Sequence, residues 1–238
     1  MLQDAHFKII KDKKLRSLYQ NVYTHLSYID HLHTKDDLLA YQKLFKAYKN
    51  GYTSNNEMFK NLLKSQLAFP YIHIDWIGVF IDARLDYIQT KTLKRLDNLL
   101  KYAELTSKFG FLYLITDQQA KHHLSIINNL SKIDVLSYIL LNDDTLKSKN
   151  LLHYPKQLIE DFGIEYSVDD QYMKNEKYIS LWEFIHFKVK AFITSVEPMI
   201  HQFNSDQLLL INLYLKLVNE NLKTKRVALI KHYEKIAS

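Results

Sequence analysis

Residues that turn a polypeptide sharply are scarce in this chain. It has four glycines and three prolines in 238 residues, against a usual ~7% and ~5%. An antiparallel sandwich or barrel needs glycine and proline at its many turns. That count excludes such a fold and favours helices with few connections. Apolar residues make up 47% and charged residues 24%. This is ample side chain for a buried core and rules out an intrinsically disordered chain. With no cysteine, a disulfide framework, thiolate metal sites and a cysteine nucleophile are excluded.

Periodicity and end signals divide the chain. Leu15, Leu18, Val22, Leu26 and Ile29 recur at three- and four-residue spacing and predict a first helix over 5–31. Thr34 with Asp37 opens a second helix that stops before Gly51. Ser54 with Glu57 opens a third that stops before Phe69-Pro70. Residues 71–82 alternate Tyr71, His73, Asp75 with Ile72, Ile74, Trp76, which predicts a strand, with a buried helix as the alternative. A long helix follows over 84–108, closed by Gly110. Phe111–Thr116 is a second strand candidate and His122–Ile127 a third. Residues 131–162 predict short helical pieces, broken at Asn142-Asp143-Asp144. Residues 164–176 form the candidate linker, and a helix spans 178–196.

The last predicted helix, 206–236, carries leucine at 208, 215, 222 and 229 and Ile236, every seventh residue. Ile211 and Val218 fill the paired positions before Lys225 and His232 interrupt them. Such a seam packs on the body early and faces solvent or a partner late, unless the helix simply docks on its own domain. The fold class is therefore mostly α: a multi-helix globular protein with a long C-terminal helix. A small central β element at 71–82 and 111–127 is the open point. The domain reading is a helical core over 1–163 and a C-terminal helical subdomain over 164–238, or one domain over 1–238.

The formal charge is +6. Residues 1–110 hold 17 Lys/Arg against 11 Asp/Glu, residues 111–204 hold 9 against 12, and residues 205–238 hold 6 against 3. Basic ends are able to hold phosphates or acidic partners. Four arginines against 28 lysines weaken sequence-specific base reading more than backbone binding. No uninterrupted apolar segment opens the chain, and runs such as Ile77–Ile81 and Leu208–Ile211 fall well short of the ~18 residues of a membrane helix. The expectation is a soluble cytoplasmic protein with no membrane partner.

Several constellations invite chemistry. His25, Asp30, His31, His33, Asp36 and Asp37 crowd one helix junction, but Thr34 starts a new helix between them. Glu183 and His186 form one Glu-x-x-His pair, whereas a di-iron bundle needs two such pairs and two further glutamates. His73 and Asp75 would share one strand face, two residues apart, whereas the adjacent His122 and His123 would face opposite sides and lack the His-x-His alternation of a metal-dependent nicking site. Asp82 and Asp86, four apart, would share a helix face able to hold Mg²⁺, or serve as ordinary acids near a helix start. No metal site and no cofactor is expected. The isolated glycines exclude a Walker loop, a dinucleotide fingerprint and a nucleophile elbow.

Arg226 and His232 have a loose Arg-x(4–6)-His spacing that resembles the signature of HEPN-type ribonucleases. That resemblance implies a small helical, metal-independent enzyme in which Arg and His act on RNA. Val227 stands where that family commonly has a polar residue. The leading reading is a basic, non-catalytic protein that binds nucleic acid or regulates a nucleic-acid-associated process. Its contacts would be Lys91, Lys94, Arg95, Lys101, Lys223, Lys225, Arg226 and Lys231. The alternatives are a protein-interaction or inhibitor module, with a partner or homo-oligomer on the C-terminal helix, and the ribonuclease with Arg226 and His232.

Overall fold

The computed structural model describes residues 4–52, 55–70, 74–90, 93–107, 120–148, 154–165 and 175–237. Among the described residues all regular structure is helical, in nine α-helices and two short 3-10 turns.

Asp12 sets where the first α-helix begins. Its carboxylate accepts from the backbone N–H of Lys14 at 2.7 Å and Leu15 at 3.0 Å, and those bonds hold the carboxyl below the usual carboxylate range. The expected helix over 5–31 is therefore two elements: a 3-10 turn Asp4–Ile9 and α1, Lys13–Asp30. α2, Lys35–Lys49, is capped as expected, with Thr34 Oγ1 accepting from the Asp37 N–H at 3.1 Å. It ends at Gly51, whose φ of 84° an L side chain would resist. α3, Glu57–Ala68, is capped by Asn56 rather than Ser54, through the Met58 N–H at 2.9 Å; Ser54 lies outside the described residues.

The strand expected over 71–82 is a helix where it is described: α4 runs Asp75–Thr90. Ile77, Phe80, Ile81 and Leu85 are all buried at three- and four-residue spacing. That period outweighs the short alternation, because α4 packs on α1 and α2. The long helix expected over 84–108 breaks in two. α4 ends at Thr90 and α5, Leu96–Thr106, starts after an extended Arg95 whose N–H donates to Asn98 Oδ1 at 3.2 Å. Lys91 and the strand candidate 111–116 lie outside the described residues.

α6, Ala120–Ser148, is one helix of 29 residues. It absorbs the third strand candidate and passes through Asn142-Asp143-Asp144 without a break. Asn142 Nδ2 bonds back to the Tyr138 carbonyl at 2.9 Å, and Asp143 is fully buried. His123–Asp143 of this helix is long and apolar enough to cross a membrane by composition, but 56% of that stretch is buried inside the protein, against α5, α8 and α9. α7, Lys156–Asp161, follows Pro155 and stops at Gly163, at φ 59°. α8, Glu176–Val196, is capped by Asn175. α9, Ser205–Ala237, opens with a reciprocal cap: the Gln207 N–H donates to Asn204 Oδ1 at 2.9 Å and the Asn204 N–H to Gln207 Oε1 at 3.3 Å.

One apolar core runs from Phe7 to Leu229. Leu215, Leu222 and Leu229 of the heptad seam are all buried within the chain, so α9 docks on its own body at least that far. Lys225 interrupts the seam for a reason given next.

Candidate functional site

A helical interior built of Leu, Ile, Tyr and Phe makes every buried polar group costly, so each one present needs a partner. Three clusters of polar groups that include charged side chains stand out among the described residues.

The first joins α6, α8 and α9. Asp143, with 0% exposure, faces the Lys225 ammonium at 3.7 Å. Lys225 at this seam position thus brings a cation to that carboxylate. One residue on, Arg226 Nε donates to Glu183 Oε1 at 2.5 Å. The other Glu183 oxygen lies 3.6 Å from His186 Nδ1. Burial holds the His186 imidazole below the usual histidine range, and the charge of Lys190 adds to that effect. The His186 ring packs 4.8 Å from Trp182, whose Nε1 donates to the Leu140 carbonyl of α6 at 3.2 Å. Two carboxylates, three cations and an imidazole thus meet at one junction.

The second lies at the centre. Tyr214 of α9 donates its hydroxyl to Asp134 Oδ1 of α6 at 2.9 Å, and Ser107 Oγ reaches Asp134 Oδ2 at 3.3 Å from the end of α5. Burial, then the Asp134 charge, pushes the Tyr214 phenol well above its usual range, so it stays a donor.

The third braces α1 against α4 and α5. Arg84, 5% exposed, donates to the carbonyls of Asp30 and Leu32 and to Tyr102 Oη, each at 3.1 Å. The Asp30 carboxylate lies 4.0 Å away. Arg84 thereby satisfies carbonyls at the C-terminal end of α1.

The residues singled out from sequence scatter by comparison. Lys94 and Arg95 sit in the α4–α5 connection, beside Lys156 and Glu160 of α7, and Lys101 is exposed on α5. They form no continuous stripe, because the helix expected to carry them is broken. On α9, Lys223 and Lys231 are exposed, while Lys225 and Arg226 are engaged with acids. His232 is exposed, and it is six residues from Arg226, which puts it ~9 Å along the helix and well round it. The structure does not bring Arg226 and His232 together.

The histidine–aspartate crowd also disperses. His25 is buried against Tyr41, Asp30 pairs with Arg84, and His31 Nδ1 meets the Ser27 carbonyl. Asp75 pairs with Lys49, and His73 lies outside the described residues. Asp82 and Asp86 are exposed, and Asp82 accepts from Gln42 Nε2 at 2.6 Å. Among the described residues no three His, Asp or Glu side chains converge as a metal site. Reading the sequence missed Asp134, Asp143 and Tyr214 as interior polar groups. Their signal was position: each lies among residues of apolar helical period.

No family model matches the chain, and no curated protein sequence matches it. Solved structures do. A dehydrosqualene synthase, crystallised in complex with ligand, superposes with a TM-score of 0.75 over 98% of this chain and 90% of that one, at 14% identity. YisP from Bacillus subtilis subsp. subtilis strain 168 superposes with a TM-score of 0.54 over 97% and 90%, at 20% identity. These likenesses stand against the expectation of a non-catalytic nucleic-acid-binding regulator. They show that the chain shares the all-helical fold of these structures.

Proposed function

We propose that this chain is an enzyme that works on an isoprenoid chain activated as a diphosphate ester. The observation that carries the reading is the superposition on a dehydrosqualene synthase over nearly the whole length of both chains. Dehydrosqualene is a long polyene of isoprene units. Carbon skeletons of that kind form when an allylic ester loses its leaving group and a double bond captures the carbocation.

Such chemistry needs a dry interior, aromatic faces beside the cation, cations for the leaving group and an acceptor for a proton. Tyr19, Tyr178, Trp182 and Tyr214 supply buried aromatic faces. Lys225 and Arg226 supply charge for an anionic head, and both already sit on carboxylates that an incoming anion would compete with. Asp143 is the candidate proton acceptor, and Tyr214, fixed on Asp134, is the candidate interior donor. The compartment in this reading is the cytoplasm, which a cysteine-free chain suits.

The test is incubation of the purified protein with geranyl, farnesyl and geranylgeranyl diphosphate, with and without magnesium ion. Released diphosphate and extracted hydrocarbons or alcohols are then measured. At least one substrate is expected to be consumed, and Asp143→Asn to slow turnover by ~100-fold while the variant stays folded. Failure to consume any of the three, with no shift in melting temperature on adding them, overturns the proposal.

A further inference from the structure

α1 and α3 line an open cavity of about 560 Å³ that shares no residue with the α6–α8–α9 junction. Lys13 and Lys14 line it from the first turn of α1 and Lys64 lines it from α3. Among the described residues no acidic side chain lines it. The nearest acid in sequence, Asp12, is occupied in capping α1 through the Lys14 and Leu15 N–H groups. The helix N-terminus is therefore already satisfied, and the positive character of the cavity comes from the three ammonium groups.

The wall between those lysines is polar and fixed. Asn21 Nδ2 donates to Ser65 Oγ at 3.0 Å, and Ser65 Oγ donates to the Asn61 carbonyl at 2.9 Å. Ser65 itself is 5% exposed, so this arrangement is set by packing and not by solvent. Asn21 lines the cavity and commits one of its two amide hydrogens to Ser65. Leu18 and Phe69 give the same cavity an apolar wall.

Three lysines around one cavity, with the Asp12 carboxylate beside Lys14 the one acid adjoining them among the described residues, leave a net positive charge that favours an anion between them. An anion with several oxygens suits three ammonium groups and an amide donor, and the apolar wall suits an organic portion attached to it. We propose that the α1–α3 cavity is a binding site for a small phosphorylated organic molecule. Its phosphate groups sit on Lys13, Lys14 and Lys64 beside Asn21, and its organic part lies against Leu18 and Phe69. The site stands independently of the isoprenoid reading.

The probe is inorganic pyrophosphate, titrated calorimetrically into the full chain at low and moderate salt. Saturable binding that weakens with salt is expected. Lys64→Ala and the double change Lys13→Ala with Lys14→Ala are each expected to weaken it by about tenfold or more. Lys101→Ala, exposed on α5 and outside both sites, is expected to leave it within twofold. Two outcomes overturn the site: no binding at low salt, or binding unaffected by the α1 and α3 lysine changes. Phosphatidylglycerol vesicles form a separate arm. Vesicle binding without pyrophosphate binding assigns the lysines to a lipid surface and also overturns the proposal. Because the readout is binding and not turnover, the site can fail or hold whatever the prenyl diphosphate assays return.

Discussion

The Lys225 ammonium stands 3.7 Å from the carboxylate of Asp143, which has no solvent exposure at all. Lys225 is itself mostly buried, so the pair carries a desolvation cost on both sides. Removing only the cation should therefore be worse than removing both charges. Lys225→Met is expected to destabilise the protein by about 3 kcal/mol. Adding Asp143→Leu to it should restore most of that loss. Urea denaturation of the two single variants and the double variant checks the cycle, and strictly additive losses would show that the two residues do not interact.

His25 sets a pH dependence of stability. Its ring is almost fully buried, and burial lowers its pKa from 6.5 to about 4. Tyr41, whose phenol is pushed above its usual range, bonds to Nε2 and remains protonated, so it donates and His25 is neutral. The unfolded chain then binds a proton below pH 6.5 that the folded chain refuses until about pH 4. Stability is intact above pH 6.5 and is lost as pH falls through that window, by about 3 kcal/mol from this group. Denaturation between pH 7 and pH 4 should show that slope, and His25→Leu should flatten it. The lowered His186 adds a smaller slope of the same sign that survives the change.

Arg84 offers a test of geometry against charge. One guanidinium serves two carbonyls and a phenol at 3.1 Å, which an ammonium cannot match in plane or number. Arg84→Lys should lose most of what Arg84→Met loses, about 3 kcal/mol. In a chain of this size that is roughly a 10 °C fall in melting temperature. A lysine variant that melts with the native protein would reduce Arg84 to a simple charge.

Among the described residues Gly78 is the one glycine inside a long helix. A Cβ there would meet only Phe45 Cε1, at 3.4 Å, an ordinary contact. Gly78→Ala is expected to stabilise by about 0.5–1 kcal/mol, because alanine is the better helix former. A loss on thermal melting would mean that the Phe45 ring has no room to shift.

The helical character of this chain is written in its end signals. Thr34 with Asp37, the stop at Gly51, Phe69-Pro70 and the Pro155–Gly163 pair all act in the structure as their local chemistry requires. These are short-range hydrogen bonds and backbone restrictions, so they are legible without tertiary information. Residues 75–82 were not, because five apolar residues in eight fit either period and only packing on α1 and α2 decides between them. Asn142-Asp143-Asp144 misleads for a related reason. A break signal in isolation becomes a helical interior once Asn142 bonds to Tyr138 and Asp143 faces a lysine 82 residues away. The interior groups Asp134 and Tyr214 are 80 residues apart, and no local pattern announces such a bond. The basic residues misled most. Their charge was plain, but Lys225 and Arg226 are bound to acids from other helices, and Lys94 and Arg95 lie off the helix that was to align them.

The turn at Asp4–Ile9 packs on α1 and on α9, with Phe7 and Ile10 fully buried. Arg16 holds the segment in place by donating from Nε to the Ile10 carbonyl at 2.8 Å. This segment is thus seated against α9, about 200 residues further along the chain. On a ribosome it would have to wait for α9 to emerge before its contacts there could form. Closing so long a loop also raises the mean sequence separation of native contacts above that of an up-and-down bundle. Refolding slower than is usual for an all-helical protein follows from that closure.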